Sequence, residues 1–270
     1  MQIIACLPER RARVRLHQSV GAEYAIAWAR DWDEIEALVR QLAVDVIVVD
    51  PLHSGRVDMQ PVIRLRERYP SVPVVIFTDF RLDLAESLLA WGDAGVCGAA
   101  FLNQSDSEWD LRRLVNMARD RSAAAQVLST LQRELPGLSE EVRRILRVGL
   151  YEATALHTVE AWGRLAGLPR RRFYRVFAEA GLPTPKKCLQ WLRLLYAAKS
   201  LSDPGASVED VVFRMRYSAP PNFWAHVRKI LGVSPTEMRW SVTVEELVDR
   251  FAELCRDRAR AAKVAGSEGA

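Results

Sequence analysis

The first lysine of this 270-residue chain is Lys186. Carboxylates are scarce at its start: the first aspartate is Asp31, and Glu9 is the only acid before Glu23. Cysteine is sparse as well. Cys6, Cys97, Cys188 and Cys255 stand far apart, without a CxxC pair and without histidine at ligand spacing. That argues against zinc and against a disulfide framework, and it fits a reducing cytoplasm. No stretch approaches about 18 continuous apolar residues, and no charged amino-terminal segment runs into a long apolar one, so neither a membrane span nor a signal peptide is expected. His17, His53, His157 and His226 are widely scattered. With no nucleophile–histidine–acid set, glycine-rich phosphate loop or metal cluster in view, no catalytic residue, cofactor or metal is expected.

What is present is apolar residue in quantity and charge unevenly placed. Apolar residues make up 49% of the chain, so packed cores are expected, and the length suits two domains. Residues 1–120 hold 14 basic and 18 acidic side chains, a net −4. Residues 158–240 hold 14 basic and 6 acidic, a net +8. A basic module beside an acidic one fits a nucleic-acid reader joined to a control domain.

In the amino-terminal half, short apolar runs alternate with helical patterns. Strands are expected at Gln2–Cys6, Tyr24–Trp28, Asp45–Val49, Val72–Phe77 and Ala99–Leu102. Helices are expected at Glu9–Ser19, Trp32–Ala43, Pro61–Arg68, Leu82–Trp91 and from Ser107. Five such units predict an α/β doubly wound, flavodoxin-like fold with five parallel strands and helices on both faces. Functional groups of such sheets gather at the carboxyl ends of strands, and there this chain carries Asp50 and Thr78.

In layout, residues 1–120 resemble a response-regulator receiver domain. The resemblance places Asp50 at the phosphoacceptor position and Thr78 at the switch position. Receivers also carry an acidic pair after the first strand, to hold Mg²⁺, and a lysine after the fifth. Here the matching positions are Cys6 and Leu7, and no realignment supplies a lysine before Lys186. Mg²⁺ demands octahedral oxygen ligation, and phosphoryl transfer depends on charge stabilisation. Standard phosphorylation of Asp50 is therefore not expected. Asp50 also reads as a strand-end residue capping the turn ahead of Pro51. The expectation is a degenerate receiver kept for protein contact, dimerisation or ligand sensing.

Residues 121–139 read as a helical connector. Ser107–Leu135 can run as one long helix, with Leu111, Leu114, Ala118, Ala125, Leu128 and Leu131 as a rough stripe that could pair two protomers. Pro136-Gly137 breaks it, and Ser139 is a candidate cap for the next helix.

In Leu168–Phe177 two faces separate at about 100° per residue. Phe173, Val176 and Phe177 share one face; Arg171, Tyr174, Arg175 and Ala178 share the other. Arginine is the commonest side chain for bidentate contact with guanine edges, and Arg170 and Arg172 flank that face within reach of phosphates. A solvated basic helix is the plain alternative. Before this segment, Thr158–Gly167 reads as a capped helix closed by a glycine turn: a helix-turn-helix. A helix at Lys186–Leu201 follows. The pattern then repeats 49 positions on, with a helix from Ser207, a turn at Arg216-Tyr217-Ser218 and a second candidate recognition helix at Pro220–Leu231.

Residues 140–240 resemble the AraC-type double helix-turn-helix DNA-binding domain. The resemblance rests on Leu165-Ala166-Gly167-Leu168, Phe173, Arg175 and Phe177; on Arg193, Leu194, Ala197 and Leu201; and on Val208, Val211, Tyr217, Ser218, Pro220, Phe223 and Gly232–Arg239. It implies two recognition helices in successive major grooves, about 34 Å apart. It places Arg171, Tyr174 and Arg175 at bases, the same residues that the face separation selects. The second helix departs from the pattern, for Pro220 and Pro221 offer no donor. Asn222 suits adenine and Ala225 a thymine methyl; Arg214, Arg228 and Lys229 suit phosphate. Arg216 stands where the family has a turn glycine, so that turn is expected to be strained. Trp224 is expected to be partly packed. Residues 241–270 form a further helix and tail, with Thr243 and Glu246 as a capping box and Leu247, Val248, Phe251 and Leu254 as a stripe that packs on this chain or on a second protomer.

The function so implied is sequence-specific transcriptional regulation from double-stranded DNA, read mainly by the first recognition helix and controlled by an atypical receiver-like domain. A homodimer through that domain or the connector, and contact with RNA polymerase, follow from the resemblance; no membrane association is expected. Two alternatives differ in kind: a phosphorylation-dependent response regulator, and a protein-interaction adaptor with weakened DNA binding.

Overall fold

A computed structural model describes residues 2–53, 56–80, 91–103 and 107–267 of the chain. They form two compact units, one of Met1–Ala123 with Asp203–Asp210 and one of Ala124–Ser202 with Val211–Ala270.

The first unit is built on a five-stranded sheet. Its strands are β1 (Gln2–Cys6), β2 (Ala25–Trp28), β3 (Val46–Val49), β6 (Val74–Thr78) and β7 (Gly98–Phe101). Their order is β2-β1-β3-β6-β7, and every neighbouring pair is parallel. Strand direction alternates side chains between faces. Val46 and Val48 join Ile3, Val75 and Phe77 on one face, where α1 (Arg10–Val20) contributes Leu16 and α4 (Ser107–Arg119) contributes Leu111 and Val115. Ile47 and Val49 point the other way, to Ile35 and Val39 of α2 (Trp32–Gln41) and to Val62 and Leu65 of α3 (Gln60–Arg68). Burial on both faces explains why β3 and β6 are continuous apolar runs. This is the doubly wound sheet that the alternation predicts. Most of the expected helix at Leu82–Trp91 lies outside the described residues. A hairpin of β4 (Leu52–His53) and β5 (Arg56–Val57) follows Asp50 and has no sequence signal, because two-residue strands are too short for a period to show.

The single long connector helix is not formed. The chain breaks at residues 120–122, where tight turns carry Arg121 N–H to Ala118 O and Ser122 N–H to Arg119 O. The next helix is α5 (Ala123–Glu134). Each stretch buries its own stripe: Leu111, Val115 and Ala118 in α4, and Ala125, Val127, Leu128 and Leu131 in α5. The residues expected to pair two protomers are thus interior ones.

The second unit is helical. After α5 come α6 (Glu140–Tyr151), α7 (Val159–Leu165), α8 (Arg170–Glu179), α9 (Pro185–Leu201), α10 (Val208–Arg214), α11 (Pro220–Leu231), α12 (Pro235–Ser241) and α13 (Val244–Ser267). Helix α9 is buried along nearly its whole length and forms the axis of the unit. Helix α13 lays its stripe of Leu247, Val248, Phe251 and Ala252 on this same unit, with Phe251 against Trp191 of α9 and Arg256 donating to Glu134 O. The tail helix packs on its own chain.

Candidate nucleic-acid interface

The first helix-turn-helix is set by an aromatic cluster. Trp162 of α7 is fully buried and meets Phe173 and Phe177 of α8 at centroid distances of 5.2 and 5.4 Å, edge-on. Its indole N–H donates to Ile145 O. Gly149 of α6 lies so close that an added Cβ would fall 2.6 Å from Leu192 and 2.8 Å from the Trp162 ring. Thr158 caps α7 through its hydroxyl, and Gly167 turns the chain at φ +68°, a left-handed conformation that glycine adopts freely. Pro169 then opens α8.

With its apolar face held by Trp162, α8 exposes Arg170, Arg171, Tyr174, Arg175 and Ala178. Their surroundings differ. Arg170 lies over the Tyr174 ring, 5.8 Å from its centroid, and 4.0 Å from Glu160. Arg175 pairs with Glu179 at 3.5 Å in an exposed, one-turn bridge. Arg172 is half-buried, bound to Glu141 of α6 at 2.7 Å and to Glu179 at 3.4 Å. Arg171 points to solvent, and among the described residues it makes no ion pair.

The two motifs are joined through one buried cation. Arg193, in the middle of α9, is only 6% exposed. It donates to Ala153 O at 2.6 Å, Leu156 O at 2.7 Å and Met215 O at 2.9 Å, and it lies 4.9 Å from the Tyr217 ring centroid. Those carbonyls follow the ends of α6 and α10, where helix dipoles present negative charge. Among the described residues this guanidinium pairs with no carboxylate and is matched by carbonyls and an aromatic face.

In the second motif, Phe223 is fully buried against Tyr217, and the Tyr217 hydroxyl sits 2.6 Å from His226 Nδ1. Burial, then the positive charges of Arg193 and Lys229, push the His226 imidazole down to about 4. Arg216 adopts φ +52° and is the only non-glycine residue at positive φ among those described, as its place in the turn predicts. The Asn222 amide donates to Ser218 Oγ at 2.7 Å, while Ala225, Arg228 and Lys229 are exposed. Trp224 is half-exposed. The expected phosphate role of Arg214 does not survive: only 5% exposed, its side chain lies inside the unit.

Between α8 and α11 lies a cleft of about 740 Å³. It brings Tyr174 of α8 together with Asn222, Ala225 and Lys229 of α11. Lys186 and Arg216 join its wall. Arg170, Arg171, Arg172, Arg175 and Arg228 do not line it. Sequence reasoning overlooked the roles of Arg193, His226 and Lys186. For Arg193 a signal existed: a lone charge within Leu192-Arg193-Leu194-Leu195 has no solvated face to occupy.

At the rim of the first unit, Asp50 behaves as a turn cap. Its Oδ1 accepts from Leu52 N–H at 3.0 Å. Burial raises its carboxyl above the usual range, against the pull of that N–H and of the Thr78 hydroxyl, which is nearby but not aligned for an ordinary hydrogen bond. Cys6, half-buried with its thiol pushed up by burial, and the fully buried Leu7 stand where a receiver would hold its metal. Glu9 and Asp79 are both ion-paired to Arg11. With Glu9 and Asp79 held by Arg11 this donor set does not fit Mg²⁺, and no cluster of three or more His, Cys, Asp or Glu suited to a metal occurs among the described residues. Nor is any helix among them long and apolar enough to cross a membrane.

No curated protein matches the chain. Full-length FixJ from B. japonicum is 14% identical with a TM-score of 0.40, over 79% of this chain and 96% of that one. The response regulator ChrA of a heme-sensing two-component system is 16% identical with a TM-score of 0.35, over 70% of this chain and 94% of that one. Residues 162–241 match the model of a helix-turn-helix domain family. Residues 162–241 thus carry a helix-turn-helix domain, on one chain with a five-stranded parallel sheet.

Proposed function

We propose that this protein is a transcriptional regulator that reads DNA chiefly through α8. The observation that carries the reading is the exposed face of α8, where Arg171, Tyr174 and Arg175 stand clear of the core while Phe173, Val176 and Phe177 anchor it. Arg171 and Arg175 take guanine edges, and Tyr174 reads beside them. Arg170 supports from the phosphate side. Arg172, expected there too, serves first as the brace between α8 and Glu141.

Helix α11 plays a different part. Asn222 already gives one amide hydrogen to Ser218, leaving its other amide hydrogen and Oδ1 for adenine, and Ala225 offers at most a methyl contact. Two major grooves on one side of a duplex are separated by a backbone wall. The cleft between α8 and α11 suits that wall, with Lys186, Arg216 and Lys229 as phosphate partners and Arg228 on the exposed side of α11. The amino-terminal unit regulates without standard phosphorylation of Asp50. Contact with RNA polymerase, pairing with a second copy and a cytoplasmic location belong to the same reading.

Selection from random duplexes by the full chain at moderate salt tests it. A single enriched motif is expected. Against that motif, Arg171→Ala and Arg175→Ala should each lose about 1–3 kcal/mol and relax the base choice at one position. Enrichment of no motif would favour an interaction adaptor instead. Wild-type affinity in both variants would show that the reading face is assigned wrongly.

A further inference from the structure

The amino-terminal unit has a receiver-like rim without a receiver's cations. It carries no lysine and lacks the acidic pair after β1. Three of its carboxylates nevertheless stand at one end of the sheet. Glu9 lies just before α1, Asp79 just after β6, and Asp50 just after β3, at the carboxyl end of the sheet. Both Glu9 and Asp79 act on Asp50 as like charges. Such a rim needs positive charge to be stable, and the chain supplies it from α1. Arg11 donates through Nε to Glu9 Oε2 and through Nη2 to Asp79 Oδ2, so one planar guanidinium ties two carboxylates from different elements.

We infer that the Arg11 guanidinium is the permanent cation of this rim: bridging Glu9 and Asp79 beside Asp50, it stands in for a divalent metal and holds the unit in one state that needs neither metal nor phosphoryl group. A receiver switches because its rim exchanges charge with solvent, as metal and phosphoryl group come and go. A cation bonded into the chain cannot leave. The remaining carboxylate, Asp50, is turned inward on Leu52 N–H instead of outward to a ligand. The Cys6 and Leu7 positions then carry no penalty, because nothing has to be coordinated there.

This deepens the proposal of phosphorylation-free control but does not depend on how α8 reads DNA, and its test leaves DNA out. The full chain is melted in EDTA, in 10 mM Mg²⁺ and in NaCl of matched ionic strength, for the wild type and for Arg11→Ala, Arg11→Gln and Arg11→Lys. The wild type and Arg11→Lys should melt alike in Mg²⁺ and in NaCl. Arg11→Ala and Arg11→Gln should melt lower in EDTA and recover about 2–4 °C in Mg²⁺ but not in NaCl, because the freed carboxylates take up the ion. Acetyl phosphate with Mg²⁺ should add no phosphoryl mass to the wild type. A Mg²⁺-specific rise in the wild type, or a label on Asp50, overturns the inference. So does indifference to Mg²⁺ in both neutral variants, which would make Arg11 an ordinary surface ion pair.

Discussion

Arg193→Ala removes the donor that ties the ends of α6 and α10 to the middle of α9. Each hydrogen bond from a charged donor is worth about 1.5–3 kcal/mol net, and Arg193 makes three, to Ala153, Leu156 and Met215. The sum is an upper bound for two reasons. Removing a buried charge also removes its desolvation cost. Arg193 borders the cleft, so water can reach carbonyls that lose their donor. The lower end is therefore the better figure, about 4.5 kcal/mol, against a total of about 5–15 kcal/mol for a typical domain. At an m-value of about 2 kcal/mol per molar urea, the midpoint should fall by about 2 M.

Urea unfolding followed by circular dichroism measures this. Arg193→Lys should fall between, since a single ammonium cannot reach three carbonyls on two elements with a guanidinium's geometry. Arg193→Met fills the volume without donors and should lose nearly as much as alanine, which separates bonding from packing. A second readout is electrostatic. Arg193 is one of the charges that hold the His226 imidazole down. In the alanine and methionine variants the imidazole should titrate higher by NMR, and in the lysine variant it should stay low. A midpoint shift below about 0.5 M in Arg193→Ala would refute the assignment of Arg193 as the tie between the two motifs.

His226 makes stability pH-dependent. Its folded value of about 4 lies below the ordinary 6.5, so the folded state prefers the neutral ring. Above pH ~6.5 neither state binds the proton; as pH falls from there to 4 the unfolded chain takes it up alone, and about 3 kcal/mol is lost. His226→Gln should remove that pH dependence, so the gap between wild-type and variant urea midpoints should change between pH ~6.5 and 4; parallel curves for the two proteins would refute it. Arg216→Gly relieves a left-handed arginine and should raise the free energy of unfolding by about 1 kcal/mol. The same change should weaken duplex binding evenly across sequences and make the slope of log affinity against log salt shallower. Loss of both stability and binding would show that the side chain packs rather than contacts phosphate.

Most of the architecture was legible because the buried sets are periodic. Val46–Val49 and Val74–Thr78 read as strands because both faces of the sheet are covered. Phe173, Val176 and Phe177 read as one helical face because Trp162 waits opposite them. The connector misled because its spacing is helical throughout, and periodicity does not reveal that α4 and α5 bury their stripes separately. Arg214 misled for a related reason. A cation at a helix end looks solvated until neighbouring elements cover it. The cleft could not be read at all, since Lys186, Arg216 and Lys229 belong to three segments and meet only through the packing of α9. Arg11 was equally hidden, as one arginine among several in a basic helix. Only its two carboxylate partners distinguish it.

If α8 reads DNA as proposed, its arginines are not equivalent, and the difference follows from what each must release to do so. Arg171 releases nothing but water. Arg175 releases Glu179 in an exposed pair, and exposed pairs are worth little. A guanine edge with two acceptors in line replaces that carboxylate readily. Arg170 gives up a long contact with Glu160 and can keep its place over Tyr174. Arg172 would have to leave Glu141 at 2.7 Å in a half-buried site, and α8 would lose its link to α6. The cost of freeing each side chain thus ranks them, with Arg171 first, Arg175 next and Arg172 last. In α11 the same reasoning runs the other way, for Asn222 already has a partner and the prolines have nothing to offer. On the proposed reading, discrimination therefore concentrates on one turn of one helix, while the second motif fixes where along the backbone that turn is set down.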